Sequence, residues 1–397
     1  MRGKMRIGIQ INRALIATNA FFRGRKNGAI DNKTILIVFQ QIFGDAIVIQ
    51  NSLEAYTNIF PINEGYKIVF LARPSVLAFM RDTLPLPEDI NFEAVDFKKF
   101  LEDYGYYKEI VKGYHNLAGT VIVPGTSLSA EIFTSSMNAK RKVGLIRSID
   151  VTRPWVMAYF YKKAYTETVR PEKEDMMLQR HRRLLNYLGD KEYRAQLPEL
   201  LEMDSVIDGQ YAVMCPGSSR AEKCWPIERF AKIADYLIEK CGITIHLCGG
   251  ADEKDFEDKL LLHLNPQNKK MVVSHIGKTS FSDWSAIVQN AKIVIGNDSA
   301  TMHLAAAARV PSVCIAGVYD KYQFFPYKVD KIEHCDRLPV TMFKDMPCEW
   351  CRTIGYDAGF GNEDCKKRID TGLCSTCIDL ITVDEVKIAI DNLLKEK

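Results

Sequence analysis

The stretch GNDSATMHLAAA crowds Asn297, Asp298, Ser299, Thr301 and His303 between a strand-like run and an alanine-rich helix. A helix starting near Ser299 turns its unpaired N–H groups and positive dipole end toward the end of the preceding strand, a setting that binds anions, diphosphates included. Those N–H groups come from Ser299, Ala300 and Thr301. Asp298 has the wrong charge for a phosphate contact and suits a hydroxyl acceptor or a cap. His303, one turn in, is either a ligand contact or a hydrogen-bonded core histidine.

Three more polar clusters follow strand-like runs, and in open α/β sheets ligands gather at such ends. CPGSSRAEKCWP, Cys215–Pro226, offers a Pro216-Gly217 turn, the hydroxyls of Ser218 and Ser219, and Lys223 as a counter-charge for a phosphate. LCGGADEKDF has Gly249-Gly250, which lets a ligand approach the backbone, and Asp252 or Glu253 as hydroxyl acceptors. QQIFGD, Gln40–Asp45, puts a glycine and then a carboxylate at a helix start, where residue type alone makes Asp45 an N-cap.

The elements that position these clusters alternate in the manner of parallel sheets covered by helices. Strands are expected at Thr34–Phe39, Lys67–Ala72, Phe92–Asp96, Thr120–Val123 and Lys142–Leu145, and again at Tyr211–Cys215, Ile243–Leu247, Met271–Ser274, Lys292–Ile295 and Ser312–Ala316. Helices are expected at Asp45–Phe60, Ile227–Cys241, Glu253–Leu264, Phe281–Ala291 and Ser299–Ala308. Ser148–Val206 reads as a charged helical bridge without a strand. Thr382 and Glu385 form a capping box for a last helix.

The expected organisation is a basic arm at 1–30, a first Rossmann-like domain with its bridge at 31–205, a second at 206–381 and a C-terminal helix at 382–397. Two doubly wound halves facing a cleft make the simplest architecture. Hydrophobic content of 47% and charged content of 26% exclude a disordered tail or a fibre. A net charge of +3 gives no argument for nucleic acid. The arm carries Arg2, Lys4, Arg6, Arg13, Arg23, Arg25 and Lys26 with no acid, interleaved with isoleucine and phenylalanine. That composition suits an anionic membrane surface or a solvated basic tail. Neither a signal peptide nor a spanning segment is expected, so the chain reads as cytoplasmic, resting peripherally on the inner face of the cytoplasmic membrane if the arm binds lipid. No G-x-G-x-x-G follows a strand, which argues against an NAD-dependent oxidoreductase.

Taken in order, ILIVFQQIFGDAIVIQNSLEAYTNIFP, PGSSRAEKCWPIERFAKIADYL, LCGGADEKDF and IGKTSFSDWSAIVQNAKIVIGNDSATMHLAAAARVPSVCIAG resemble the heptosyltransferase-type glycosyltransferases that build the lipopolysaccharide inner core from ADP-heptose. K-x-W-P and G-N-D-S-x-x-x-H-L-A-A-A are the specific pieces, and Ser148–Val206 matches poorly. The resemblance implies a GT-B fold of two Rossmann-like domains and inverting chemistry without an obligatory metal or cofactor. It implies Asp45 as the base that takes the acceptor hydroxyl's proton, Lys223 on the diphosphate and Ser218 and Ser219 near it. It further implies Asp252 or Glu253 toward the ribose, Thr279 beside the nucleobase, Asp298 on the sugar, and His303 with the amides of Ser299, Ala300 and Thr301 on the diphosphate side. Ala300 departs from the glycine that many relatives carry there. The physics agrees: a lysine and a helix N-terminus supply the positive field that a metal would otherwise provide.

The expected activity is transfer of heptose from ADP-heptose to a lipopolysaccharide core or similar lipid-linked saccharide. The alternatives are a sugar-nucleotide epimerase or hydrolase, and a non-catalytic nucleotide-sugar-binding protein on the same scaffold. Cys348/Cys351 and Cys374/Cys377 are paired C-x2-C motifs, with Cys365 between them as an alternate ligand. Their spacing suits a structural zinc, with unligated thiols in a capping loop and disulfides as the other readings.

Overall fold

The computed structural model describes residues 2–22, 28–146, 155–318, 321–333, 336–346, 365, 368 and 371–395. By compactness the chain divides into two units, one of Met1–Arg81, Pro85–Lys173 and Leu178–Ala195, the other of Asp82–Leu84, Glu174–Met177 and Gln196–Lys397. Each has its own six-stranded parallel sheet.

The first sheet contains β1 (Thr34–Val38), β2 (Lys67–Ala72), β3 (Ile90–Ala94), β4 (Thr120–Val123), β5 (Arg141–Leu145) and β6 (Glu167–Val169), in spatial order β3-β2-β1-β4-β5-β6. β1 reads TILIV and is buried throughout, as a central strand covered on both faces by helices must be. Two corrections apply here. β3 ends at Ala94 rather than Asp96, because the Asp96 carboxylate accepts from Lys98 N and Lys99 N and caps the helix Phe97–Glu102. The segment expected to be a bridge without strands contributes β6, which pairs with β5 from Val143↔Glu167 to Leu145↔Val169. Three residues on a sheet edge are too few to leave a periodic pattern.

The basic N-terminal segment forms a helix, Arg2–Phe22, whose Ile16 and Ala20 are buried in the core of this unit beside Phe97, Phe100 and Phe133. Asn12 Nδ2 donates to Glu102 O at 2.9 Å, and Arg13 pairs with the Glu102 carboxylate at 2.8 Å. Ile11 and Leu15 remain exposed. No described helix is long and apolar enough to cross a membrane.

The second sheet contains β7 (Tyr211–Cys215), β8 (Thr244–Leu247), β9 (Val272–Ser274), β10 (Ile293–Asn297), β11 (Ser312–Ile315) and β12 (Val340–Met342), in order β12-β11-β10-β7-β8-β9. β12, on the edge, is additional to the expected strands. β10 runs two residues past Ile295, so Asn297 belongs to the strand. The expected capping box is present, with Glu385 accepting from Thr382 N at 2.9 Å at the start of the helix Val383–Lys395.

Candidate functional site

In each sheet the strand order reverses once, between β1 and β4 in the first and between β7 and β10 in the second. Loops leaving the carboxyl ends of two such strands diverge to opposite faces and open a crevice between them.

In the second unit this crevice receives the loops after β7, β8 and β10. Asn297 is fully buried at the end of β10; its Oδ1 accepts from Trp225 N at 3.0 Å and its Nδ2 donates to Pro216 O at 2.6 Å. One side chain thus holds both ends of the loop that carries Lys223. Lys223 Nζ stands 3.7 Å from Asp298 Oδ2, with both side chains largely buried. Ser218 Oγ donates to Asp298 O at 3.2 Å. Ser218, Lys223 and Asp298 are therefore one cluster, as their positions at neighbouring strand ends predict.

The next helix is Ala300–Ala307, with Ser299 rather than Asp298 as its N-cap. The Ser299 hydroxyl makes no cap hydrogen bond and its buried oxygen has no partner among the described residues. Ala300 is the first residue with helical geometry, where alanine is fully compatible and glycine is not required. Thr301 is buried, with its side chain beside the Cys215 thiol.

His303 is also turned inward. It is 3% exposed, its Nδ1 lies 2.7 Å from the Tyr327 hydroxyl, and its ring stacks on Phe325 at 5.0 Å. Burial pushes its pKa down to about 3, so the imidazole is neutral and adds no charge toward a diphosphate. Positive potential comes from Lys223 and the helix end.

Of the two acids after β8, Asp252 is exposed and Glu253 reaches the crevice. Glu253 Oε2 accepts from Gly250 N at 3.0 Å. Its carboxylate lies against Gly217 and Gly249, and a Cβ on either glycine would collide with it. This corrects the reading of Gly249 as room for a ligand: the space is filled by Glu253. Burial raises the pKa of this carboxyl, against a smaller lowering by the Gly250 N–H. Thr279 is half-buried in the loop after β9, which Gly277 N ties to Gly249 O at 3.0 Å. Ser219 is exposed at the rim.

Among the cysteines, Cys365, Cys374 and Cys377 are buried; Cys348 and Cys351 lie outside the described residues. Ser375 N donates to Glu222 O at 3.0 Å, which sets Cys374 against the Lys223 loop. No group of three or more metal-binding side chains occurs among the described residues.

In the first unit, the loop after β1 leads into the helix Phe43–Ile59, whose N-cap is Ile42. Asp45 is not the N-cap but the third helical residue, and its Oδ2 accepts from Ile42 N at 3.4 Å. The carboxylate is half-exposed in the first turn of the helix. Gln41 Nε2 donates to Gly125 O at 2.8 Å and Ser129 Oγ to Gln40 Oε1 at 2.9 Å, joining this loop to the one after β4. Sequence reasoning assigns no role to Gln40, Gln41, Asn297 or Tyr327. For Gln40 and Asn297 the usable signal is a polar side chain at, or two residues past, the end of a central strand; Gln41 and Tyr327 lie further along the chain and carry no such signal.

The sequence model of glycosyltransferase family 9 (heptosyltransferase) matches residues 116–349. Lipopolysaccharide heptosyltransferase 3 of Escherichia coli (strain K12) is 27% identical over 188 residues, 47% of this chain and 47% of its own length. The chain thus spans about half the length of the curated relatives it matches. Among solved structures, E. coli ADP-heptose lps heptosyltransferase II superposes with a TM-score of 0.63 at 17% identity, covering 91% of this chain and 99% of that one. The iron-containing dodecameric glycosyltransferase TibC of enterotoxigenic E. coli H10407 gives 0.53 at 15% identity, covering 93% and 78%. These likenesses establish the α/β architecture of paired doubly wound sheets, and the matched stretch, which includes β7 to β12 and the loops around Lys223 and Asp298, establishes the family: the chain belongs to glycosyltransferase family 9, the heptosyltransferases.

Proposed function

We propose that the chain is an inverting, metal-independent glycosyltransferase that moves heptose from ADP-heptose to a lipopolysaccharide core or similar lipid-linked saccharide. The observation that carries this reading is Lys223 Nζ at 3.7 Å from Asp298, at the start of a helix whose N-cap hydroxyl has no partner among the described residues. A departing diphosphate needs such donors aimed at its β-phosphate. TibC has been solved with ADP-D-β-D-heptose, which supports the same donor here.

In the proposed reaction Asp45 takes the proton of the acceptor hydroxyl as its oxygen bonds to the anomeric carbon from the face opposite the diphosphate. The bond from that carbon to the β-phosphate oxygen breaks, the electron pair leaves with ADP, and the configuration inverts. Lys223 and the amides of Ser299, Ala300 and Thr301 offset the charge on the leaving group. Asp298 holds sugar hydroxyls, Glu253 the ribose and Thr279 the base. ADP-heptose incubated alone should remain intact, and adding O-deacylated inner-core saccharide should release ADP even in the presence of a chelator. Conversion of the donor without acceptor would favour the epimerase or hydrolase reading. No ADP with either addition would favour a non-catalytic binding protein.

Two further parts of the reading concern metal and membrane. Cys348, Cys351, Cys374 and Cys377, with Cys365 as alternate, are proposed to hold a structural ion, zinc by ligand type. Cys374 and Cys377 suit that role in position: both are buried, Cys377 within a short helix and Cys374 two residues before it. Because TibC is iron-containing, elemental analysis of purified protein should cover both metals. About one ion per chain is expected, and a metal-free, fully folded protein would remove this assignment.

The helix Arg2–Phe22 is proposed to rest on anionic lipid at the inner face of the cytoplasmic membrane. Deleting it would expose the core, since burying a side chain such as Ile16 contributes about 1.5–3 kcal/mol. The cleaner test is R2E/K4E/R6E, which should weaken binding to phosphatidylserine vesicles while leaving the thermal midpoint unchanged. Unaltered vesicle binding would dismiss the membrane role.

A further inference from the structure

At the switch point of the first sheet, the loop after β1 and the loop after β4 are bonded to each other through Gln41 and Ser129. The Gln41 amide nitrogen is committed to Gly125 O, and Gly125 admits it because a Cβ there would collide with the amide. That bond fixes which end of the amide is which, leaving Oε1 as the remaining group. Gln41 Oε1 and Thr126 Oγ1 are both buried, and neither has a hydrogen-bond partner among the described residues. Native structures pair nearly all such atoms, and these two stand apart from the other unpartnered atoms of the described residues in sitting on adjoining loops at the switch point.

We propose that Gln41 and Thr126 recognise hydroxyl groups of the acceptor saccharide and so help set acceptor specificity. This rests on the functional reading above, in which Asp45, one turn into the helix that follows Gln41, is the base. The chemistry of the two atoms defines the class of ligand. An amide oxygen only accepts, so it selects an O–H and disfavours the oxygens of a phosphate; a threonine hydroxyl accepts or donates. Both suit a ligand that presents hydroxyl groups. A site built to bond a hydroxyl discriminates strongly against an analogue lacking it, because its own polar groups are then left unpaired.

The test compares Thr126→Val, Thr126→Ser and Gln41→Ala with the wild type, using ADP-heptose and O-deacylated inner-core saccharide. Thr126→Val and Gln41→Ala should lower kcat/KM for the saccharide by about 10- to 100-fold and leave the KM for ADP-heptose within about twofold, with Thr126→Ser restoring most of the loss. Without ligands, Thr126→Val should melt no lower than wild type, since it removes an oxygen the fold leaves unpaired. A clearly lower melting point, or unchanged saccharide kinetics, would overturn the proposal. A wild type that transfers nothing counts against the functional reading alone. Saturation-transfer NMR with the same saccharide then decides: a saccharide signal that is present with the wild type and disappears with Thr126→Val supports the proposal. An equal signal with both proteins, or no signal with the wild type, overturns it.

Discussion

Asp45→Asn should lower kcat by about 10²- to 10⁴-fold, the range that a positioned general base contributes, while ADP binds within about twofold of the wild-type affinity. The substitution is isosteric, and an asparagine oxygen still accepts the bond that Asp45 takes from Ile42 N, so the start of the helix Phe43–Ile59 is preserved. What disappears is the capacity to accept a proton. The second unit, with Lys223 and Asp298 on its own core, is untouched by the change. Steady-state transfer together with ADP calorimetry separates the two effects. A variant with full turnover would remove Asp45 from the chemistry, and one that also bound ADP more weakly would point to a folding defect.

The second large effect is at Lys223. Lys223→Ala should reduce kcat/KM for ADP-heptose by about 10²- to 10³-fold, comparable to removing one donor from a preorganised anion-stabilising site. Part of that loss comes from Asp298, whose carboxylate lies 3.7 Å from the ammonium and would be left facing the diphosphate alone. A double-mutant cycle tests this coupling. In a Lys223→Ala background, Asp298→Asn should recover about tenfold in ADP affinity, although Asp298→Asn alone should impair transfer. Strict additivity of the two changes would mean that the pair does not act as a unit, and the proposed placement of the phosphate would be wrong.

Both predictions depend on residues whose neighbourhood is readable from the sequence, although their geometry is not. Asp45 and Lys223 each follow a strongly apolar run, and alternation alone locates them at strand ends. Their roles in local structure are not legible in the same way. By residue type Asp45 is a cap, but the chain begins its helix two residues earlier, at Phe43, with Ile42 as the extended N-cap. Asp252 and Glu253 are equivalent by type; only the collision space at Gly217 and Gly249 tells them apart. For His303 the residue pattern leaves a ligand contact and a core histidine both open, and packing makes it a core residue, since Tyr327 and Phe325 come from a segment more than 20 residues away. The edge strands β6 and β12 are three residues each, below the length at which periodicity carries information. The C-x2-C pairs are visible as spacing, and Cys348 and Cys351 lie outside the described residues.

Asn297 has a consequence for how such a site diversifies. Its single amide grips Trp225 N and Pro216 O from within the sheet, so the segment bearing Lys223 behaves mechanically as an extension of β10. The loop bearing Thr279 hangs instead from the sheet edge, joined through the Gly277–Gly249 bond. Gly249 also borders the Glu253 carboxylate, which lies against Gly217, so a shift at Thr279 has a path to the Lys223 loop. On the proposed site assignments, nucleobase preference and leaving-group stabilisation are then coupled traits, and a lineage that exchanged one nucleotide for another would have to repack Glu253.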